Sequence, residues 1–199
     1  MSKLNGGNIA GGNTKGRSEH DYYATPKQDT NNFLDLVFQD KVIDTEIETI
    51  LEPAGGGGHM VDVIKERFPL ATVESLDILP KREDIAQGDF LTDNLEDSYD
   101  LVITNPPFKI AREFINKSLS VSNRYVMMYL KLQFLEGKTR KEWFSEVPLK
   151  YVYVYSYRSN PMKNGKDRDE NGKKWASTMA FAWFVFDKEY EGEPIVRWI

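Results

Sequence analysis

The chain has 199 residues, with 26 Lys and Arg against 31 Asp and Glu, a net charge of −5, no cysteine and two histidines. Disulfides, thiolate nucleophiles, cysteine zinc sites and multi-histidine metal centres are thereby excluded, and no run of ~18 apolar residues offers a membrane span. An isoelectric point near 5.2 is not that of a domain that coats nucleic acid, while 40% hydrophobic and 13% aromatic residues are enough for one substantial core.

Residues 1–20 scatter Gly6, Gly7, Gly11, Gly12 and Gly16 among Asn, Ser and Lys. Such a segment buries too little apolar area to offset its ordering entropy, so a flexible arm is expected there. Its opening has no apolar run behind the lysine, so no secretory signal is expected. Residues 21–199 are expected to form a single domain. Thr25-Pro26 opens a helix that carries Phe33, Leu34, Leu36, Val37 and Phe38, because proline suits a first turn. A strand over 48–51 runs into Pro53-Ala54-Gly55-Gly56-Gly57-Gly58, and a helix follows through Val61, Val63, Ile64 and Phe68 until Pro69 closes it. Residues 71–78 read as a second strand. Residues 99–104 (YDLVIT) read as a third, apolar enough to be buried on both faces. A helix over 111–119, a strand over 125–132 and a helix over 140–145 come next. Strands over 151–157 and 179–186 close the chain. They are expected to form a C-terminal antiparallel hairpin around a polar loop, 159–174. This alternation predicts an α/β fold, with a mostly parallel sheet and helices on both faces.

Four consecutive glycines between a strand and a helix let backbone approach a ligand and take positive φ. In open α/β sheets, ligands sit beyond the carboxyl ends of the strands. Asp77 ends the second strand about 20 residues later, the usual separation for a carboxylate that takes a ribose hydroxyl. A nucleoside-containing cofactor fits this pair. So do a plain flexible turn and a helix-capping Asp. The run Glu52-Pro53-Ala54-x-Gly56-x-Gly58 resembles the first motif of class I S-adenosylmethionine-dependent methyltransferases. It is unlike a Gly-x-Gly-x-x-Gly fingerprint, whose third glycine would fall where Val61 stands.

The resemblance implies a Rossmann-like class I methyltransferase fold with a seven-stranded sheet. It also implies S-adenosyl-L-methionine as cofactor, held by Glu52, Pro53, Ala54, Gly55, Gly56, Gly58, Asp77 and Ile78. In Gly88-Asp89-Phe90 it gives Asp89 the adenine amino group and Phe90 the face of the ring.

Asn105-Pro106-Pro107-Phe108, directly after the YDLVIT strand, is the most specific signal in the chain. It resembles the Asn/Asp-Pro-Pro-Tyr/Phe motif of enzymes that methylate exocyclic amino or amide nitrogens. The lone pair of such a nitrogen is delocalised and nucleophilically weak. The Asn105 side-chain carbonyl and the Pro106 backbone carbonyl can accept its two N–H bonds, which favours a pyramidal nitrogen with its lone pair aimed at the methyl donor. The prolines Pro106 and Pro107 hold that backbone with φ near −65°, and Phe108 offers a face for a base. Orientation and proximity then supply most of the rate.

Asp21-Tyr22-Tyr23-Ala24-Thr25-Pro26 resembles the N-terminal motif of adenine-N6 methyltransferases, which reaches the cofactor's carboxylate end through residues matching Tyr22, Tyr23, Thr25 and Pro26. Leu132-Gln133-Phe134-Leu135-Glu136-Gly137, Ala182-Trp183-Phe184-Val185-Phe186 and the ending 195–199 are similar to small phage-type and bacterial DNA adenine methyltransferases. The motif order matches their gamma arrangement. What this implies is direct methyl transfer to the N6 amino group of adenine in DNA, in the cytoplasm of a bacterium or phage-infected host, by a monomer or homodimer without a separate target-recognition domain. The same tetrad also serves enzymes acting on RNA bases and glutamine amides. A non-catalytic partner subunit is the alternative outside enzymes.

A base inside a duplex must be flipped to be methylated, so backbone contacts are expected. The segment 158–174 holds six basic residues against three acidic ones. Arg158 and Lys109, with Tyr157 and Trp175 as candidate stacking groups, are expected near the substrate; hairpin packing is the other reading of the two aromatics. His59 reads as a helix-start polar residue. Tyr151, Tyr153, Tyr155 and Tyr157 alternate with strand period and share one face.

Overall fold

A computed structural model describes residues 22–95, 98–174 and 178–199. The proposed arm at 1–20 and Trp175 lie outside the described residues.

In chain order the elements are β1 (Tyr23–Ala24), α1 (Lys27–Gln39), β2 (Thr49–Glu52), α2 (His59–Arg67), β3 (Thr72–Asp77), β4 (Ala86–Gln87), β5 (Tyr99–Thr104), α3 (Ala111–Val121), β6 (Ser122–Lys131), α4 (Lys138–Phe144), β7 (Leu149–Val154), β8 (Met162–Lys163), β9 (Phe181–Asp187) and β10 (Ile195–Trp198). Single 3-10 turns lie at Phe108–Ile110 and Leu132–Leu135. The main sheet has eight strands in the order β10-β7-β9-β6-β5-β2-β3-β4. Only β9 runs against its neighbours; every other adjacent pair is parallel. The α/β expectation and the antiparallel β7–β9 pair are therefore observed. The eighth strand is β10, which adds in parallel to the outer edge of β7.

Burial alternates along the strands and builds one core on each face. In β6, Tyr125, Met127 and Tyr129 join Phe33, Leu34 and Val37 of α1 and Val63 and Ile64 of α2. Val126, Met128 and Leu130 face Ala111, Phe114 and Ile115 of α3 and Trp143 of α4. The period of two that separates them comes from the pleat. Phe33 stacks on Trp183 at 4.2 Å between ring centres, and Tyr129 on Phe181 at 5.1 Å. Burying aromatics of this size contributes about 1.5–3 kcal/mol each.

The chain runs outward from β2 through β3 to β4, then returns to the other side of β2 as β5. That reversal opens a crevice at the carboxyl ends of β2 and β5, where open α/β sheets bind ligands.

A second, two-stranded sheet pairs β1 with β8, Tyr23 opposite Lys163 and Ala24 opposite Met162. It folds the segment after β7 back onto the start of the domain. The root of that segment is held on α1. Buried Asp29 accepts hydrogen bonds from Ser159 Oγ at 2.5 Å and Tyr157 Oη at 3.0 Å, and Ser159 also meets Tyr129 Oη. Burial holds the Asp29 carboxyl above its usual range despite these donors.

Candidate active site

The crevice holds a cavity lined from the ends of β1, β2, β3, β4 and β5. Around it stand Tyr22, Tyr23, Thr25, Glu52, Pro53, Ala54, Gly55, Asp77, Ile78, Asp89, Phe90, Asn105, Pro106, Pro107 and Phe108, all singled out from sequence. Pro26, Gly56 and Gly58 do not line it. Neither do Lys109, Tyr157 and Arg158.

The positive φ expected of the glycine turn is observed, and a second reason for its glycines appears. Gly56 and Gly58 have φ of 51° and 78°, which glycine alone adopts without strain. A Cβ on Gly56 would run into the Tyr22 ring, and one on Gly58 into the Arg82 guanidinium. A Cβ on Gly55 would overlap Ser75 Oγ. The turn thus makes room for the protein's own side chains, and Tyr22 caps it by accepting the Gly57 N–H at 3.0 Å. Lys81 Nζ lies 4.9 Å from the centre of that Tyr22 ring.

Glu52, at the end of β2, is 1% exposed. Its Oε1 accepts Thr104 Oγ1 at 2.5 Å and the Ala54 N–H at 3.1 Å, whereas Oε2 is buried with no hydrogen-bond partner in the protein. Burial pushes its pKa up to about 8, so the carboxyl holds its proton at neutral pH. Asp77 is committed to the turn: Oδ2 accepts the Gly56 N–H and Oδ1 the Leu79 N–H, both at 2.8 Å. A carboxylate accepts about four hydrogen bonds, so Asp77 keeps capacity for hydroxyls. Asp89 accepts the Leu91 N–H at 3.0 Å through Oδ1, and its own N–H donates to Asp93. Phe90 is buried against Phe114, ring centres 5.1 Å apart.

Asn105 is locked from the far side. Its Nδ2 donates to the Tyr23 carbonyl at 2.8 Å and to Thr25 Oγ1 at 3.1 Å. Both amide hydrogens are then used, which fixes the amide orientation and leaves Oδ1 as the acceptor. The N-terminal motif thus positions the tetrad, a contact that the sequence reading did not anticipate because one of the partners is a main-chain atom. Phe108 packs against Phe181 at 6.0 Å between ring centres, with Lys131 Nζ 4.6 Å over its ring.

His59, Met60, Leu79, Lys81, Ile110 and Phe114 also line the cavity without having been singled out for it. His59 Nδ1 is buried without a partner, and burial depresses its pKa, so the ring is neutral at pH 7. Its position just past the glycines was the available signal. Tyr157 is used elsewhere: besides donating to Asp29, its hydroxyl accepts from Asn32 Nδ2 at 2.8 Å, and its ring packs edge-on to Tyr155. Arg158 is exposed. Among the described residues, no group of three or more His, Cys, Asp and Glu could hold a metal ion, and no helix is long and apolar enough to cross a membrane.

No family model matches the chain. A type II methyltransferase, M.CvrRI of Paramecium bursaria Chlorella virus XZ-6E, is 28% identical over 103 residues, covering 47% of this chain. That stretch spans only 26% of the viral protein's length. Among solved structures, the 23S rRNA methyltransferase ErmE matches with a TM-score of 0.52 at 14% identity, over 85% of this chain and 71% of ErmE. The plantazolicin methyltransferase BpumL, in complex with a substrate analogue and SAH, matches with a TM-score of 0.52 at 9% identity, over 82% and 85% of the two chains. Magnesium protoporphyrin IX methyltransferase ChlM from Synechocystis PCC 6803, solved with SAM bound, gives 0.50 at 10% identity over 82% and 79%. At such identities the likeness is one of fold, and the fold of this chain is the Rossmann-like one of class I methyltransferases.

Proposed function

We propose that the protein is an S-adenosyl-L-methionine-dependent methyltransferase that acts on the N6 amino group of adenine in DNA. The observation that carries this reading is the locked Asn105 amide, whose Oδ1 is left as an acceptor in a tetrad that shares its cavity with Glu52, Asp77 and Asp89. The viral type II methyltransferase supports a DNA substrate, and the methyltransferase structures with SAM or SAH bound support the cofactor.

The residues fit that cofactor. Oε2 of Glu52, which has no partner in the protein, accepts its ammonium group once the carboxyl gives up its proton. Asp77 can take ribose hydroxyls, Asp89 the adenine amine, and Ile78 and Phe90 the faces of the ring. When bound, the cofactor supplies an electrophilic methyl group on a sulfonium. Asn105 Oδ1 and the Pro106 carbonyl accept the two N–H bonds of the target amine and turn its lone pair toward that methyl. Pro106 and Pro107 keep the carbonyl from swinging away. Phe108 presents a face on which the flipped base stacks, a contact worth about 1–3 kcal/mol. As the nitrogen takes the methyl, the N–C bond forms and the sulfonium S–C bond breaks; the methylated nitrogen is then acidic and gives its extra proton to solvent, so no strong base is needed.

The test separates binding from chemistry. Asn105→Ala is expected to lower transfer to adenine-containing oligonucleotides by about a hundredfold or more, with SAH affinity retained in calorimetry. Unchanged transfer would refute the assigned role. Nucleoside and amino-acid analysis after incubation with DNA, RNA and protein pools tests the substrate; label appearing only in RNA or in glutamine would overturn the choice of DNA adenine.

A further inference from the structure

A second cavity opens on the same carboxyl edge of the sheet and shares Phe108 with the first. Around it stand Phe108, Lys109, Lys131, Gln133, Phe134 and Arg140, and none of its lining residues is a carboxylate. Three cations therefore converge beside the ring assigned to the target base.

Each is placed there by the fold. Lys131 ends β6 opposite Phe181, which puts Nζ over the Phe108 ring. Lys109 follows Phe108 in the 3-10 turn and is exposed. Arg140 is fixed in place: its Nη1 donates to the carbonyls of Gln133 at 3.1 Å, Phe134 at 3.3 Å and Glu136 at 3.3 Å, and its Cζ lies 4.7 Å over the Phe134 ring. Arg82 is paired with Asp62 and Asp84, and Arg124 with Asp187. Among the described residues, neither Lys109 nor Arg140 has a carboxylate within 4.0 Å. Cations that line one cleft repel one another, and a bound anion lowers that cost.

We propose that this cleft is a phosphodiester subsite, in which Lys109, Lys131 and Arg140 hold the DNA backbone phosphate next to the adenine lying on Phe108. The inference rests on the function proposed above and deepens it. A nucleotide carries its base and its anion on one sugar, so a base platform that doubles as the wall of a cationic cleft fits a nucleotide chain. A glutamine side chain brings no anion to that position. The segment 158–174, the basic stretch evident from sequence, does not line this cleft.

The experiment uses the full chain and the Lys109→Gln/Lys131→Gln double variant, with thermal unfolding and SAH affinity as controls. Initial rates on an adenine-containing oligonucleotide are measured over a range of KCl concentrations. The slope of log kcat/KM against log salt is expected to become shallower by about 1.4 on single strands and about 1.8 on duplex, as two lost phosphate contacts require. The change should fall on KM, with SAH affinity unaltered. A neutral methylphosphonate flanking the target adenine should slow the wild type and leave the double variant no slower than before. Arg140→Lys, which keeps the charge but cannot span the three carbonyls, supplies a second variant, expected to raise KM. An unchanged salt slope with intact adenine methylation would overturn the subsite and leave the function standing. Inhibition by inorganic phosphate that the double variant loses, while its salt slope stays wild type, would assign the cleft to a free anion and also overturn it. Absence of transfer to every oligonucleotide, with SAH still bound, would overturn the functional reading and the subsite together.

Discussion

Two cavities share the Phe108 ring and have opposite polarity. The one at the ends of β2, β3, β4 and β5 is lined by Glu52, Asp77 and Asp89; the one at the end of β6 is lined by Lys109, Lys131 and Arg140. In the first, the carboxylates are tied down: Asp77 and Asp89 accept backbone N–H groups, and Glu52 is buried against Thr104. In the second, the cations rest on aromatic rings and carbonyls. The acidic groups of the first are thus held by backbone N–H groups or by burial, and the basic groups of the second by rings and carbonyls. On the proposed function, a cofactor with cationic groups and a polyanionic substrate would meet opposite sides of one ring. The net charge of −5 conceals this arrangement, because electrostatic recognition depends on where charge sits and not on its sum.

The comparison is tested most severely at Glu52. Its carboxyl holds a proton up to about pH 8 in the folded chain, against an ordinary value of 4.5. The native state binds the extra proton between those values, so stability falls as pH rises through that window, by about 1.4 kcal/mol per unit at most, and levels off above it. Glu52→Gln should flatten the curve of unfolding free energy against pH over that range; parallel curves for the two proteins would count against the buried acid. Cofactor affinity of the wild type should rise with pH over the same window, because a bound ammonium favours the ionised carboxylate.

Asp77→Ala comes next. It strands the Gly56 and Leu79 N–H groups and removes the proposed ribose acceptor. SAH affinity is expected to fall by about 2–3 kcal/mol, on the order of a hundredfold. Oligonucleotide affinity, measured by anisotropy, should hardly change. A loss on both sides would mean that the cavities are not independent.

Phe108 belongs to both sides. Replacing it by Leu should lower kcat/KM for DNA by about tenfold, the effect of losing one base stack, while SAH binding stays put. Equal rates for Phe108→Leu and wild type would remove the ring from the substrate site. The smallest effect is expected at Thr25. Thr25→Val takes one of two acceptors from Asn105 Nδ2. A loss of about 1 kcal/mol, or roughly fivefold in kcat, should follow with KM unchanged; a rise in KM alone would place Thr25 in binding and not in the alignment of Asn105.

Much of this was legible in the sequence for reasons that particular residues make clear. YDLVIT is apolar at Leu101, Val102 and Ile103 because β5 is central and covered on both sides by α1–α2 and α3. Asn105-Pro106-Pro107-Phe108 must then emerge at the carboxyl edge, and it does. The short strands β1, β4 and β8 were not legible, because two residues carry no periodicity. Nor was β10, whose Val196 and Trp198 are exposed on an edge strand and give no core signal. Gly56 and Gly58 were recognised as necessary for the turn, but the groups they admit, Tyr22 and Arg82, lie 34 and 24 residues away in the chain. Lys131 reads as the end of a strand, and only its antiparallel pairing with Phe181 brings it over Phe108.

Hydrophobic period and local motif, which depend on neighbours in the chain, determined the α/β order, the strand exits and the residue types gathered there. Tertiary structure alone decided which atoms of those residues stay available. The clamp of Tyr23 and Thr25 on Asn105, the burial that keeps a proton on Glu52 and the gathering of cations beside Phe108 all join segments far apart in the chain. Such contacts depend on packing geometry and on exclusion of water, neither of which has a signature in a local stretch of residues.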